Sequence, residues 1–407
     1  MTSNTLGYFS TVVSSVRELL SGRRGTVLIA ISCGWFLSMG VRMIYPVMLP
    51  YLQTAYDLDL TTAGLLLTVL FFAYAVGQLP GGVLADKVGE RIILSLSMVI
   101  AAVTLVLVIR SPSSLVLFVA TALFGFGTAL YAVGRYTILP RLYPEQIGAA
   151  NGMTASSQDA GQSVLPPLAG VIAAGLYWQL GFGFAVPLFL AMAVALWVIT
   201  PTRTSAHDEN DTDGLSVATL RYIGSVLRQP GIVYPTAVLV LGLFIWQAFT
   251  GFYPTYLVQQ KGLSTSLASG LFGLFFALGI LIKPLSGSAY DRFGARRSVL
   301  VVSSGPVIAF LVLPFSDGFW VLAGVTALVS TLLGFATVTE PYLLEQLPVD
   351  IRGTGFGILR TIAFTVGALG PVVFGAAADR GFFDEAFMAL AVIAGAMLLL
   401  GLRIPNA

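Results

Sequence analysis

Apolar residues run in stretches of about twenty along almost the whole chain, separated by short polar or Gly/Pro-rich breaks. A stretch of that length crosses about 30 Å of hydrocarbon as an α-helix. Reading the breaks predicts twelve helices, spans 1–12: residues 25–53, 61–86, 91–110, 114–141, 147–176, 182–200, 231–259, 265–289, 298–315, 318–346, 353–379 and 383–403. The strands of a membrane barrel would be shorter and would alternate at every second residue. The gap 201–230 is the one long polar interruption. Its "TRTSAHDENDTDG" is acidic and Ser/Thr-rich, the composition of a flexible linker. Residues 1–24 hold no basic residue before Arg17 and read as an interfacial tail, not a cleaved signal peptide. The chain thus divides into a tail (1–24), a six-helix half (25–200), a linker (201–230) and a second six-helix half (231–407).

Composition agrees. Of 407 residues, 57% are hydrophobic and 10% charged, against about a quarter charged in soluble domains. The expected class is an all-α membrane protein. Net charge is +2 and no basic tract suggests nucleic acid. Cys33 is the single cysteine and His207 the single histidine. That excludes an intrachain disulfide and argues against a zinc site. No phosphate-binding Gly-x-x-x-x-Gly-Lys loop, nucleophile elbow or metal cluster is present, so neither an enzyme, nor an ATP-driven pump, nor a cofactor is expected.

Lysine and arginine placement orients the spans. With the N-terminus inside, fourteen basic residues face the cytoplasm, and only Arg110, Lys261 and Arg380 lie in outside loops. Both termini are therefore expected in the cytoplasm, with the chain crossing the cell membrane twelve times.

The halves repeat at an offset of 205 residues. "GGVLADKVGER" at 81–91 matches "SGSAYDRFGAR" at 286–296, and Gly148 and Gly152 match Gly353 and Gly357. Many secondary transporters are built from such duplications, with the substrate site between the repeats near mid-membrane.

These features resemble the major facilitator superfamily (MFS) over essentially the full chain. Its loop motif G-x-x-x-D-[RK]-x-G-x-[RK] stands as Gly82, Asp86, Lys87, Gly89 and Arg91, and again as Gly287, Asp291, Arg292, Gly294 and Arg296. By resemblance this motif gates the conformational switch, and spans 1, 4, 7 and 10 line a central cavity. Two departures stand out. Thr121 lies near the place of the arginine common in span 4 of drug and sugar members. The span 5 antiporter motif keeps Pro166, Pro167 and Gly170 but has Leu165 for a glycine, whereas Gly370-Pro371 occurs in the second half. Both weaken assignment to proton-driven drug antiport.

Ionisable residues inside spans mark function by default, because burying charge in a bilayer is costly. Away from span ends these are Arg42, Arg135, Asp159, Lys283, Glu340 and Arg360. The repeat maps Arg42 onto Gln247 and Arg135 onto Glu340, so each expected cavity helix carries one long polar side chain. Arginine keeps its charge and forks donors onto carboxylate or phosphate. Arg42, Tyr131, Arg135, Gln247 and Glu340 are the expected substrate-binding set. Asp159 and Glu340 are the candidates for carrying a coupling proton. By depth, Arg135 can pair with Asp159 and Glu340 with Arg360, as fixed struts or as exchanging gates. Lys283, near a span end, is expected to snorkel toward water.

The sequence therefore predicts a monomeric secondary transporter in the lipid bilayer, working by alternating access on a small organic anion, with a coupling ion left open. Export of amphipathic drugs or metabolites by proton antiport is the first alternative. A non-transporting receptor or scaffold of this fold is the second.

Overall fold

The computed structural model describes residues 19–202, 222, 225–348 and 351–405. Most of the expected tail and linker lies outside them. Every span becomes helical. Ten helices are long and apolar enough to cross a membrane. Two more complete the twelve. The Thr265–Val312 helix contains a non-helical residue, Gly294, that separates spans 8 and 9. Ile147–Gly175 (span 5) falls short in apolarity because it carries Asn151, Gln158, Asp159 and Gln162.

The remaining spans are Leu60–Val88 (2), Glu90–Ile109 (3), Ser114–Leu142 (4) and Pro230–Gln259 (7), with Phe383–Gly401 as span 12. Four spans are broken. Span 1 is Gly22–Arg42 followed by Ile44–Tyr56, broken at Met43 just before Pro46, which cannot donate to the helix ladder. Span 6 is Trp178–Gly183 with Ala185–Ile199, and span 11 is Arg352–Ala368 with Gly370–Asp379. Span 10 runs Phe319–Ser330, tightens to a 3-10 turn at Thr331–Gly334, and resumes as Phe335–Gln346.

Packing follows the repeat. Within the first half, span 2 packs on 4, 3 on 6, and 1 on 5; within the second, 8 packs on 10, 9 on 12, and 7 on 11. The halves meet through span 2 against 11 and span 5 against 8, which are the same contact under the repeat. Glycines set the approach. A side chain at Gly170 would lie 2.2 Å from the Ser269 hydroxyl and 3.4 Å from the Thr265 carbonyl; at the twin, Gly375, it would lie 2.3 Å from the Leu60 carbonyl. One level deeper the twins differ in chemistry. The Val372 N–H, left free at a helix start, donates to Thr68 Oγ1 at 3.2 Å. At the matching place Pro167 has no N–H, and it packs on Gly273, which has no side chain.

These contacts close one face of the bundle. Asp379, at the end of span 11, accepts from the Leu60 N–H at 3.3 Å and from the Thr61 hydroxyl at 3.0 Å. It thus places a carboxylate on the N-terminus of span 2, where the helix dipole favours it. Tyr51 donates to Thr265, and Gln259 to Gln53, at the same face. At the other face, which holds the loop motifs, Gly148, Gly152, Gly353 and Gly357 look onto open space.

The loop motifs themselves are alike in backbone. Gly89 (φ 83, ψ 158) and Gly294 (φ 77, ψ 169) turn the chain between helices in a region that L-residues rarely adopt. In the first half Arg91 stacks over Trp197 of span 6 at 4.5 Å, and Arg141 of span 4 pairs with Glu90 at 2.6 Å. Lys87, Asp291 and Arg292 are exposed, and the Asp86 side chain is outside the described part. Gly89→Ala or Gly294→Ala is expected to cost about 1–3 kcal/mol, read as a lowered unfolding temperature of the purified protein. An unchanged temperature would show that the turn relaxes at no cost.

Candidate functional site

A cavity of about 200 Å³ lies between the halves, walled by residues of spans 1, 2, 4, 5, 7, 8, 10 and 11. Its polar wall comes from Arg42, Tyr74, Gln78, Tyr136, Gln158, Gln162, Lys283, Glu340 and Arg360. Its apolar wall comes from Trp35, Met39, Leu243, Trp246, Leu333, Phe335, Ala336 and Phe364. The wall thus offers a ligand both polar groups and aromatic faces.

Four cations belong to or back this site, and their partners differ. Lys283 Nζ sits 2.6 Å from Asp159 Oδ1, joining span 8 to span 5 across the halves. Lys283 therefore does not snorkel to the surface. It points inward because Asp159 is buried and a carboxylate there needs a counter-charge. The depth match of Arg135 with Asp159 fails for the same reason. Arg360 Nε lies 3.9 Å from Glu340 Oε1, as the depth match of that pair expects. From the first half, Tyr136 faces Arg360 across the cavity.

Arg42 and Arg135 have no carboxylate within 4.0 Å among the described residues. Both are buried, at 5% and 4% exposure. Arg42 holds its guanidinium 4.1 Å from the ring centre of Tyr74 and 5.8 Å from that of Phe71, and its Nε has no hydrogen-bond partner. Such rings offset part of a cation's desolvation, by about 0.5–2 kcal/mol, well short of a counter-ion. Arg135 lies over Trp35 at 4.6 Å and Tyr136 at 4.0 Å, and donates to the Thr154 hydroxyl.

Of the residues expected to bind substrate, Arg42 and Glu340 line the cavity. Arg135, Tyr131 and Gln247 stand in the wall behind it. Tyr131 donates to the Ile31 carbonyl at 2.8 Å and stacks on Trp35. Gln247 is turned toward Gly367 of span 11, and Trp246 takes the cavity position. The repeat register is correct, yet the helix phase differs. Span 7 is continuous where span 1 breaks at Met43, and one residue of phase turns a side chain through about 100°. The 3-10 turn in span 10 does the same for Glu340 relative to Arg135. Gln158 and Gln162 were not among the expected site residues. The signal for them is their i, i+4 spacing around Asp159 in a helix rich in Gly, Ala and Ser.

A metal is not implied by this chemistry. Among the described residues no three His, Cys, Asp or Glu side chains converge on one point.

The family model described as Major Facilitator Superfamily matches residues 30–344 and again 271–406. The chain belongs to that superfamily. Its members are transporters that sit in the membrane and bind small molecules, so this is a multi-pass transporter-family protein. The Bacillus subtilis hexuronate transporter is 25% identical over 366 residues, covering 83% of this chain and 84% of its own. The Staphylococcus aureus quinolone resistance protein NorA is 24% identical over 381 residues, covering 90% and 93%. Among solved structures, a bacterial homologue of the human lysosomal transporter Spinster, described as inward-facing and unoccupied, superimposes with a TM-score of 0.74 at 16% identity. It covers 94% of this chain and 97% of that one. That likeness establishes the MFS fold.

Proposed function

We propose that this chain is a secondary transporter for a small organic anion, with Arg42 as the residue that grips it. The observation that carries the reading is Arg42 itself: a buried, permanently charged side chain on a cavity wall with no carboxylate to pair it among the described residues. A buried unpaired cation is costly, and an anionic ligand offsets that cost while a cationic one adds to it. The other two cavity cations already have carboxylates, Asp159 and Glu340. The hexuronate transporter's name is compatible with a carboxylate cargo.

In this reading the face bearing the loop motifs is cytoplasmic, as the placement of basic residues favours, and both termini lie inside the cell membrane. The structure then corresponds to an inward-open state. The halves close outside through the paired 2–11 and 5–8 contacts and part inside. Transport is a rocking of one half on the other, and the twin loop motifs hold the opposite state. Glu340 is the better placed proton carrier, because it lines the cavity while Asp159 is held by Lys283 at 2.6 Å.

The six aromatic side chains on the wall favour a second reading, export of amphipathic drugs, and NorA's name is compatible with it. Transport into proteoliposomes separates the two. Labelled D-glucuronate, benzoate and tetraphenylphosphonium are offered with and without an imposed proton gradient. Uptake of an anion above protein-free vesicles is the expected result. Movement of tetraphenylphosphonium alone overturns the anion reading.

A further inference from the structure

Three buried donors on the cavity wall lack a hydrogen-bond acceptor: Arg42 Nε, Arg360 Nε and the Gln162 side-chain nitrogen, the last on a residue only 1% exposed. Arg360 has its counter-ion in Glu340 at 3.9 Å, which leaves Arg42 and Gln162. They come from spans 1 and 5. Those helices touch at Gly40 and Gly161, where a side chain on Gly40 would meet the Gly161 carbonyl at 2.5 Å. Arg42 and Gln162 follow that contact by two residues and one.

The direction in which Gln162 points its donor is fixed from a distance. An indole N–H can only donate. Trp35 Nε1 donates to Gln158 Oε1 at 3.1 Å, which turns the Gln158 nitrogen toward Gln162. That nitrogen donates to Gln162 Oε1 at 3.5 Å, so the Gln162 nitrogen is the end left over. A flipped Gln162 would set two donors against each other. Trp35 is in turn clamped, between the Arg135 guanidinium at 4.6 Å and the Tyr131 ring at 6.1 Å.

We propose that Arg42 Nε and Gln162 Nε2 form one two-donor subsite for an oxyanion, a carboxylate oxygen foremost, with the amide oriented by the Trp35–Gln158 chain. This deepens the anion reading and rests on it. Charge alone would accept any anion. A fixed amide donor beside the arginine selects ligands that present two acceptors to one place, and it disfavours a cation twice over.

The test needs no known substrate. Gln162→Glu keeps the shape and puts an oxyanion beside Arg42. In detergent-purified full chain it is expected to raise the unfolding midpoint by about 2 °C or more, and the gain is expected to vanish or reverse in Arg42→Gln. Equal destabilisation in both backgrounds overturns the subsite. Should Gln162→Glu fail to fold, Gln162→Cys in a Cys33→Ser background is used. Its rates with anionic sulfonatoethyl and cationic trimethylammonioethyl methanethiosulfonate, each relative to a free thiol, should favour the anion by about tenfold, and Arg42→Gln should remove that preference. The same ratio at Ala336→Cys, elsewhere on the wall, separates the two ideas. An Arg42-dependent anion preference there, with no effect at position 162, removes the subsite and leaves the anion transporter. No preference at either position removes both.

Discussion

Proteoliposomes containing Arg42→Gln should lose transport of the anionic substrate by at least about thirtyfold, while the protein still inserts and purifies as a monodisperse species. The estimate follows from removing one partner of a buried, hydrogen-bonded charge contact, about 2–5 kcal/mol, at about 1.4 kcal/mol per tenfold. Folding should survive for a physical reason. Among the described residues Arg42 has no carboxylate to abandon; its close neighbours are the neutral side chains of Tyr74 and Phe71. A neutral glutamine therefore removes a buried cation without stranding an anion. The unfolding temperature should hold or rise, in contrast to most core substitutions. Arg42→Lys is the sharper control. It retains charge but not the Nε donor or the planar fork, and it should recover only part of the activity.

The opposite pattern is expected at the bridge between spans 5 and 8. Lys283→Met strands Asp159, which is buried at the junction of the halves. Removing one member of a buried pair costs about 3–5 kcal/mol; here the lysine side chain is 27% exposed and the expected cost falls to roughly 2–3 kcal/mol. Asp159→Asn with Lys283→Met should recover most of the lost unfolding temperature, since it removes both charges together. Activity need not follow. Under the repeat, Asp159 and Lys283 correspond to Phe364 and Gln78, so the matching junction of spans 2 and 11 carries no ion pair. The bridge is thus an asymmetric hold on one side of the cavity. The neutral double variant is expected to fold normally and to transport with an altered balance between the two open states, measured as cysteine accessibility from either side of the membrane. If the single and double variants are equally unstable, the pair is not what stabilises that junction.

The contrast between these two sites shows what one dimension of sequence can carry. Span number, the duplicated halves and the glycine-marked loops were legible because each rests on local rules: a hydrophobic length, a fixed offset, a backbone angle that glycine alone adopts freely. Gly89 and Gly294 illustrate this, with closely similar φ and ψ at the same repeat position. Asp159 shows the limit. Matching residues by depth offered Arg135, on the neighbouring span 4, as its partner. In the fold, span 5 leaves span 4 and packs on spans 1 and 8, so its carboxylate meets Lys283 instead. Chain adjacency is a poor guide to packing when long helices are shuffled in the membrane.

Helix phase is the second illegible quantity. The repeat placed Gln247 opposite Arg42 by register, but the break at Met43 and the continuity of span 7 rotate the two relative to the cavity. Trp246 and not Gln247 reaches the wall. The amides Gln158 and Gln162 were overlooked because a neutral side chain in a membrane helix raises no alarm of the kind a charge does. Their importance depends on a donor-only indole 123 residues away.

Thermal unfolding of the purified protein against a panel of organic anions and hydrophobic cations, with Arg42→Gln measured beside the wild type, decides whether this cavity is built for an anion. A ligand that binds the folded state stabilises it by mass action, about 2.7 kcal/mol at a hundredfold excess over Kd. Saturable stabilisation by at least one organic anion, abolished in Arg42→Gln, is the expected result. Stabilisation by hydrophobic cations alone, undiminished or strengthened in Arg42→Gln, would contradict it.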